Sequence, residues 1–331
     1  MTHKVLLVGC GNIAGRFDMA RSADASPLTH AGAFLRQGAF DLVACVDPDV
    51  QARNSFAQYW GITREADCIS ALNALPGEFD VISLCSPTAL HHEHLAAAVK
   101  LQPRLILCEK PLTHSVELSA QWVRACAEQG ICLVVNYTRQ WDPSVDKLVN
   151  EVLSGSWGSV RSAAGFYNKG VLNNGGHLVD LIQRILGPLK VLAATAPVYD
   201  HWDCDPTVAG LLVSVGGCVP VSLNPAHAKD YALFELELIC EFGVIRMCNG
   251  GLHWVQRLTE PSPHFEGYRA LASSESLEGK YMQAMSLVAN DIDNFLSHGH
   301  PPRGTGQSAL AVQTICNDLL AAATHVAPSK N

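Results

Sequence analysis

The sequence predicts an α/β protein in which a doubly wound domain with a parallel sheet precedes a second α/β domain with an open, mostly antiparallel sheet. Over residues 1–137 short apolar runs alternate with helical patterns, and this alternation is typical of βαβ units. Beyond residue 137 several strand-like runs follow one another without helices between them, which favours antiparallel pairing. We therefore predict a first domain at 1–137 and a second at 138–331, and the C-terminal helix is a candidate to pack back on the first domain.

Five strands and their intervening helices are predicted in the first domain. Apolar runs of four to eight residues are typical of strands that are covered on both faces. The helical pattern that ends at Gly130 shows how the strands are connected, because its apolar residues recur every three or four positions. The predicted strands are 4–9, 40–47, 79–87, 104–111 and 131–137.

The second domain is predicted to contain one strand, one amphipathic helix, a series of strands and two closing helices. In 231–238 apolar residues alternate with Glu235 and Glu237, so this sheet should have one buried face and one polar or partner-facing face. The segment 267–280 has the composition of a loop. The predicted elements are a strand at 157–170, a helix at 177–187, strand-like runs over 189–258, and helices at 280–297 and 306–323.

Composition restricts the class of protein. A chain of 331 residues with 48% hydrophobic and 16% charged residues is long enough for two folded domains and is not disordered. Its net charge of -8 disfavours binding to nucleic acid or to an anionic membrane. No apolar run reaches the roughly 18 residues of a membrane span, and the N-terminus lacks the pattern of a signal peptide. The twelve cysteines show no C-x-x-C or zinc spacing, so we expect a cytoplasmic protein in which they are small buried residues and no metal is bound.

A glycine-rich turn follows the first predicted strand directly. Gly9, Gly11 and Ala14 form the pattern G-x-G-x-x-A. Glycine at the first position permits the tight turn, glycine at the second lets a pyrophosphate approach the backbone, and alanine at the third allows close helix packing. We therefore predict a dinucleotide-binding Rossmann domain whose phosphate loop includes Asn12 and Ile13.

Asp47 ends the second predicted strand. An acidic side chain there accepts hydrogen bonds from the adenosine ribose and repels a 2′-phosphate, which favours NAD over NADP. Alternatively, Asp47 is a turn residue before Pro48. The spacing from the glycine loop exceeds the usual ~20 residues, which indicates an insertion over residues 18–37.

Glu109, Lys110 and Pro111 follow the fourth predicted strand. The carboxyl ends of the strands are the ligand-binding edge of a doubly wound sheet. A lysine there could hold the nicotinamide ribose, bond a substrate hydroxyl or transfer a proton. On position alone, a solvated lysine at a strand end is also consistent with the sequence.

These motifs resemble, in their order along nearly the whole chain, the glucose–fructose oxidoreductase / inositol dehydrogenase (Gfo/Idh/MocA) family. They are the glycine loop, then "SPTALHHEHLAAAVK", "CEKPL", "NYTRQWDP" and "GGHLVDLIQRILG". The resemblance implies a Rossmann domain, a C-terminal α/β domain whose sheet forms a homodimer or homotetramer, a nicotinamide cofactor, and substrates such as sugars, nucleotide sugars or cyclitols.

The resemblance also implies roles for individual residues. Lys110 and His177 match the catalytic lysine and histidine of the family, and the Lys110–Pro111 peptide is a candidate cis bond. Arg139 and Trp141 match the crossing into the second domain, where substrate is often contacted. The positions that match cofactor contacts are Ser86, Pro87, Thr88, His91, Glu109, Lys110 and Asn136.

Asn173 departs from the family pattern. The family has aspartate, one residue, glycine, one residue and histidine, whereas this chain has Asn173 four residues before His177. Asparagine can orient an imidazole but brings no charge and accepts no proton. His177 therefore acts with Lys110 alone, or Asp180 on the same helical face supplies a carboxylate. A histidine that only caps or fills the start of the helix is the structural alternative.

The prediction is an NAD(H)-dependent oxidoreductase in which His177 takes a hydroxyl proton, Lys110 polarises the oxygen, and Asn173 lies in the same catalytic and substrate site. The alternative, motivated by Asn173, is a non-redox or regulatory use of the same fold. We interpret His91 of the "HHEH" segment as part of the cofactor loop and the other histidines as solvated helix surface, because no third metal ligand is recognisable.

Overall fold

The computed structural model describes residues 2–22 and 24–324, which form two compact units. The first unit consists of Met1–Trp141 and Met282–Ala311, and the second of Asp142–Tyr281 and Val312–Asn331. The helix predicted at 280–297 therefore belongs to the first unit.

The first unit contains the predicted parallel sheet. Its strand order is β3-β2-β1-β4-β5-β6, and every pairing is parallel. The order reverses direction between β1 and β4, which is the arrangement of a doubly wound fold with its ligand edge at that point. The strands β1 to β6 are His3–Val8, Phe40–Val46, Arg64–Ala66, Val81–Leu84, Leu105–Cys108 and Cys132–Val135.

Helices cover this sheet, and their ends follow the local sequence. Asp49 and Ser115 cap the start of two of them by accepting backbone N–H groups, and Gly38 and Gly61 follow the ends of two in the left-handed conformation, the helix after Asp49 having both signals. One strand was missed, because Arg64–Ala66 is a three-residue polar edge strand without an apolar run. The helices are a π-helical turn at Asn12–Arg16, then α1 Phe17–Met19, α2 His30–Gln37, α3 Val50–Trp60, α4 His91–Lys100, α5 Val116–Glu128 and, after the second unit, α8 Ala284–His298.

The predicted insertion at 18–37 is closed by one buried carboxylate. Asp18 is only 2% exposed, and it accepts the N–H groups of Leu28 and Thr29 at 3.0 Å and the Thr29 hydroxyl at 2.6 Å. Thr29 in turn caps α2 by accepting the N–H of Gly32. The insertion therefore delivers α2, which packs against β2 and α8, with His30 as its first residue.

The second unit is built on a nine-stranded sheet with the order β16-β15-β14-β13-β7-β12-β11-β8, and β17 pairs with β15. Among its described pairings, β7 with β12 is parallel and the others are antiparallel, so the prediction of an open, mostly antiparallel sheet is confirmed. The strands β7 to β17 are Val160–Tyr167, Leu189–Ala194, Val198–Trp202, Asp205–Thr207, Gly210–Ser214, Pro220–Pro225, Phe234–Cys240, Gly243–Cys248, His253–Pro261, Arg269–Leu271 and Glu275–Glu278.

One segment of the second unit differs from the sequence-based prediction. The segment 267–280 was expected to be a loop but contributes β16 and β17, which pair with β15 at the sheet margin. These two strands are short and lack an apolar alternation, so tertiary pairing decides their structure. The strands β9 and β10 form a separate hairpin.

The two faces of the large sheet differ as expected. Leu236, Leu238 and Cys240 are buried. Ile239, which lies on the opposite face of the same strand, is 37% exposed. The buried face packs against α7, since a side chain at Gly165 would meet Leu178. The helices of this unit are α6 Pro143–Leu153, a π-helical turn at Gly170–Gly175, and α7 Gly176–Leu186, while α9 Gly306–Thr324 begins in the first unit and ends in the second.

No helix in the described ranges has the length and apolar character needed to cross a membrane. The cysteines all lie in the described part of the chain, and none of them forms a disulfide.

Candidate functional site

The glycine loop follows β1 and has the conformation that its sequence predicts. Gly9 has φ +93°, and a side chain there would meet the backbone of Cys85 and Ser86 at 2.9 Å. Gly11, in contrast, has open space where a side chain would lie. The closest approach to α3 is at Gly15, one residue beyond the predicted Ala14, because a side chain there would meet Trp60 and Phe56. The loop is therefore held against the β4 end and open at Gly11.

Asp47, at the end of β2, holds the glycine loop and its own turn. One carboxylate oxygen accepts the N–H of Cys10 at 2.8 Å, and the other accepts the N–H of Asp49 at 2.9 Å. Arg53 donates to the Asp47 carbonyl at 2.6 Å and lies 3.5 Å from Glu65. The turn role that the sequence left open for Asp47 is therefore real, and its carboxylate lies beside the phosphate loop.

His91 joins the two loops that follow β4 and β5. It is fully buried, and its Nε2 lies 2.8 Å from the Ser86 carbonyl while its Nδ1 lies 3.0 Å from the Pro111 carbonyl. Ser86, with Pro87 and Thr88, begins the loop predicted to line the cofactor. His91 thus supports that loop from behind and ties it to the loop that carries Lys110.

The sequence suggested that the neighbouring histidines are solvated helix surface, but His92 and His94 are partly buried. His92 accepts the indole N–H of Trp122 at 3.0 Å, and His94 Nδ1 lies 2.8 Å from the Ser86 hydroxyl. Burial lowers the pKa of His94, and the nearby His91 acts in the same direction. Within residues 2–22 and 24–324, no cluster of three histidine, cysteine or acidic side chains has the arrangement of a metal site.

Glu109, directly after β5, joins α2 and the end of β6 at this edge of the sheet. Its Oε1 lies 2.9 Å from His30 Nε2 and accepts the amide N–H of Asn136 at 2.7 Å. Burial would raise the pKa of Glu109, but hydrogen bonds from His30 and Asn136 and the charges of His30 and Lys110 hold it below its usual range. The Lys110–Pro111 peptide that follows is cis, as predicted.

At Asn136, directly after β6, only one of the two polar atoms of the side-chain amide has a hydrogen-bond partner in the described chain. Its nitrogen donates to Glu109, whereas its Oδ1 is buried and has no hydrogen-bond partner in the described chain. Buried amide oxygens are normally paired. An N–H donor from a bound molecule, such as a nicotinamide carboxamide, would satisfy it. Together with the open space at Gly11, this fits the nicotinamide dinucleotide that the sequence predicts.

Trp141 has a structural position. Its indole N–H donates to Asp291 at 2.9 Å, and it is 2% exposed because Gly304 packs against its ring. Trp141 therefore anchors the chain to α8, and its contact with substrate stays a prediction. Arg139, also predicted to contact substrate, is 8% exposed on the same 3₁₀ turn, Thr138–Trp141.

In the second unit, Asn173 lies in the π-helical turn that leads into α7. Its side-chain amide donates to the Lys169 carbonyl at 3.0 Å and to Asn174 Oδ1 at 3.4 Å. Lys169 itself has a left-handed backbone with φ +62°. Asn173 therefore closes the turn as a donor, which an aspartate at this position could not do.

Two buried carboxylates from the β9–β10 hairpin hold the same turn. Asp205 accepts the N–H groups of Leu172 at 2.8 Å and Asn173 at 2.9 Å, and Asp200 accepts that of Lys169 at 2.9 Å. Gly170 lies so close to Asp205 that any side chain there would clash. The hairpin thus fixes the segment immediately before His177.

His177 is the second residue of α7, partly exposed, with its ring packed edge-on to Phe234 at 6.4 Å between centroids. Asp180, the alternative carboxylate, lies one turn later on the same helix and is 3% exposed. Of the predicted site residues, Glu109 and Asn136 are brought together in the first unit, and Asn173 and His177 share one segment of the second. Lys110 and His177 belong to different units.

Residues 3–137 match the family model GFO_IDH_MocA, described as an oxidoreductase family with an NAD-binding Rossmann fold. These residues make up less than half of the chain, and over them the chain matches the NAD-binding domain of this family. The resemblance predicted from the sequence and the predicted fold class are thereby confirmed.

Relatives of known name extend this similarity. The chain is 32% identical over 82 residues to the uncharacterized oxidoreductase YrbE of Bacillus subtilis, an alignment covering 25% of the chain and only 24% of YrbE. It is 22% identical over 265 residues to D-glucoside 3-dehydrogenase of Escherichia coli, covering 76% of the chain and 69% of that enzyme. A structure of levoglucosan dehydrogenase in complex with NADH superposes with a TM-score of 0.79 and 15% identity, covering 98% of this chain and 97% of that one.

Three residues that shape the site were not found from the sequence. Asp200 and Asp205 belong to the two strands of the β9–β10 hairpin, and His30 lies in the predicted insertion. A buried position can be predicted for an acidic residue only when its partners are known, and these partners are distant in sequence. In the sequence, Gly170 was a local sign that another group approaches the backbone closely, and that group is the Asp205 carboxylate. Lys169 before it has a left-handed backbone.

We predict that replacing Asn173 with aspartate destabilises the second unit by about 1–3 kcal/mol, because the donor to the Lys169 carbonyl is replaced by a charged acceptor. Urea unfolding measures this loss, and hydrogen exchange of residues 168–175 locates it. Asn174→Asp is the matched control, since it adds the same charge one residue away and keeps the acceptor that Asn173 uses. An equal loss in both variants would show that added charge, not the missing donor, is responsible.

Proposed function

We propose that the protein is an NAD(H)-dependent oxidoreductase that acts on a secondary alcohol or ketone of a sugar, nucleotide sugar or cyclitol. The observation that carries the proposal is the carboxyl edge of the parallel sheet. There the glycine loop follows β1, Asp47 follows β2, and Glu109 with Lys110 follows β5. In the sheet β2 is next to β1, and only β4 lies between β1 and β5. The names of the related sugar dehydrogenases support the substrate class.

The cofactor would be held by the residues already described at this edge. The loop around Gly11 has room for a pyrophosphate, Asp47 offers a carboxylate to the adenosine ribose, and Asn136 offers an unpaired carbonyl oxygen. Ser86, Pro87 and Thr88 form the adjoining loop, which His91 fixes. When bound, the nicotinamide supplies the acceptor for the hydride that leaves the substrate carbon.

The chain's own residues would handle the substrate oxygen and its proton. In the oxidation direction the imidazole of His177 accepts the hydroxyl proton, so that the oxygen becomes a carbonyl oxygen as the hydride leaves. The ammonium of Lys110 donates a hydrogen bond to that oxygen and stabilises its developing negative charge. In the reduction direction the same groups act in reverse. Arg139 and Trp141 remain candidates for contact with substrate in the first unit.

A non-redox or regulatory role gains no support from Asn173. The sequence suggested that role because a family aspartate is missing there. In this chain Asn173 has a defined task, since its amide donates to Lys169 and its backbone N–H is held by Asp205. The asparagine is therefore explained by the local structure without a loss of redox function.

We predict that Lys110→Ala and His177→Ala each lower turnover by about 10²–10⁴-fold, because each removes a group that acts on the substrate oxygen. The measurement is nicotinamide absorbance of purified protein with NAD⁺ and a panel of cyclitols, free sugars and nucleotide sugars. NADH binding by calorimetry should survive in the His177 variant and serves as the control for folding. Undiminished turnover in both variants would contradict the mechanism, and product formation without net absorbance change would favour the non-redox alternative.

We also propose that NAD is preferred to NADP. Asp47→Asn should shift the ratio of the two dissociation constants toward NADP by about 10-fold or more, because a carboxylate no longer repels the 2′-phosphate. Calorimetric titration with NADH and NADPH gives both constants. Asp49→Asn, a neighbouring exposed carboxylate that caps α3, should leave the ratio unchanged. Equal binding of the two cofactors by the unaltered protein would refute the preference.

The open face of the nine-stranded sheet supports a homo-oligomer, which we propose to be a dimer or tetramer formed through it. Ile239 and Leu211 are exposed on it, beside an ion pair between Arg246 and Glu235 at 3.1 Å. Ile239→Lys should shift sedimentation equilibrium toward monomer, because a charge would be buried between copies. Leu153→Lys, at the exposed end of α6, is the control. A monomeric unaltered protein would exclude the interface.

The unpaired cysteines support a reducing compartment, and we propose the cytoplasm. Of the twelve, Cys68, Cys204 and Cys218 are exposed. Free exposed thiols are usual where glutathione and thioredoxin keep cysteines reduced. A fusion protein located outside the cytoplasm by fractionation would contradict this assignment.

A further inference from the structure

His30 is the residue that the insertion places against the proposed active-site loop. It is fully buried, with Nδ1 2.7 Å from the Ser83 hydroxyl and Nε2 2.9 Å from Glu109 Oε1. The carboxylate closure made by Asp18 ends at Thr29, so His30 starts α2 from a fixed point. Both partners of its ring lie at or near the carboxyl ends of central strands.

The hydrogen-bond geometry determines the proton on one ring nitrogen. A carboxylate oxygen only accepts, so Nε2 must carry a hydrogen where it meets Glu109. The amide nitrogen of Asn136, which donates to the same oxygen, lies 3.3 Å from Nε2 and cannot accept from it. The Ser83 hydroxyl at Nδ1 accepts a hydrogen equally well, so the ring can be protonated at both nitrogens without an unsatisfied group.

The charge balance of the pocket favours that doubly protonated form. Burial alone would lower the pKa of His30, but the nearby Cys85 sulfur and the Glu109 carboxylate raise it to about 10. The opposite shift of Glu109 has been described above. The groups that face His30 are Ser83 in β4, Cys85 directly after β4, Glu109 after β5 and Asn136 after β6. A buried carboxylate without a counter-ion would be costly, and the imidazolium removes that cost.

We propose that His30 is the imidazolium counter-ion of Glu109 and, through Glu109, a positioning residue that tunes the ionisation of Lys110, the next residue in the chain. Only the importance given to Lys110 rests on the proposed function; the pair of His30 and Glu109 does not. Glu109 precedes Lys110 directly, and the charge of Lys110 is among the causes that hold the pKa of Glu109 low. With His30 positive, the Glu109 charge is compensated. Without it, an uncompensated carboxylate stands next to the lysine and favours its ammonium form.

The test measures the ionisation of Lys110 without any turnover. Competitive acetylation of the intact protein over a range of pH, followed by mass spectrometry, gives the midpoint at which the Lys110 amine becomes reactive. In His30→Gln we expect this midpoint to rise by about one pH unit, because one nearby negative charge is no longer balanced. In the double variant with Glu109→Gln the midpoint should return to that of the unaltered protein.

Matched variants separate charge from packing. Ser83→Ala removes the other hydrogen bond to the same ring but changes no charge, so it should leave the midpoint in place. Cys85→Ser should do the same, and a midpoint that moves as far as in His30→Gln would mean that the charge of His30 depends on Cys85 and not on Glu109, which would overturn the proposal. Should His30→Gln fail to fold, the ring nitrogen chemical shifts of His30 in the unaltered protein, labelled with ¹⁵N-histidine, decide the question. A doubly protonated ring at neutral pH supports the pair, and a neutral ring would overturn it.

Activity gives a second and separable readout. The limb of the pH–rate profile that Lys110 governs should move to higher pH in His30→Gln and return in the double variant. A labelling shift without any detectable turnover would retain the ion pair and count against the proposed function. Turnover with an unchanged labelling midpoint in His30→Gln would retain the function and overturn the role of His30.

Discussion

Buried carboxylates that accept N–H groups hold the loops on which the proposed chemistry depends. Asp18 closes the insertion that delivers α2, Glu109 ties the end of β5 to α2 and β6, and Asp205 fixes the turn before His177. A carboxylate can accept several donors at once, so one side chain determines the position of two or three backbone groups. The parallel sheet brings the strand ends together, and these carboxylates then give the loops a single conformation.

The carboxylates differ in how their charge is compensated. The donors to Asp205 and Asp200 described above are backbone N–H groups, and Thr207 also donates its hydroxyl to Asp200 at 2.7 Å. Glu109 instead meets a titratable ring and lies next to a lysine. Backbone N–H groups and hydroxyls do not titrate near neutral pH, so these contacts change only when the carboxylate itself is protonated, whereas an ion pair changes when either partner titrates. The contact between Glu109 and His30 is therefore more sensitive to pH than the contacts that hold the turn before His177.

Local patterns were sufficient for the parts of the fold that depend on burial of continuous segments. Apolar runs identified five of the six strands of the first sheet, and Gly9 was assigned a strained turn that its positive φ requires. The missed strands are short and polar, so nothing in their own sequence distinguishes them from loops. His30 and Asp205 were missed for a different reason, because their partners lie tens of residues away. Trp141 has an anchoring role through its bond to Asp291, which its position in the sequence did not reveal.

Asn173 shows how one substitution is understood only from its surroundings. The turn before His177 already contains Asp200 and Asp205, whose carboxylates accept its backbone N–H groups. A third carboxylate in this turn would repel them and would leave the Lys169 carbonyl without its donor. Asparagine fits because it has nearly the shape of aspartate but donates where aspartate can only accept. The asparagine and the hairpin carboxylates are therefore one arrangement, in which the hairpin carries the negative charge and the turn supplies the donors.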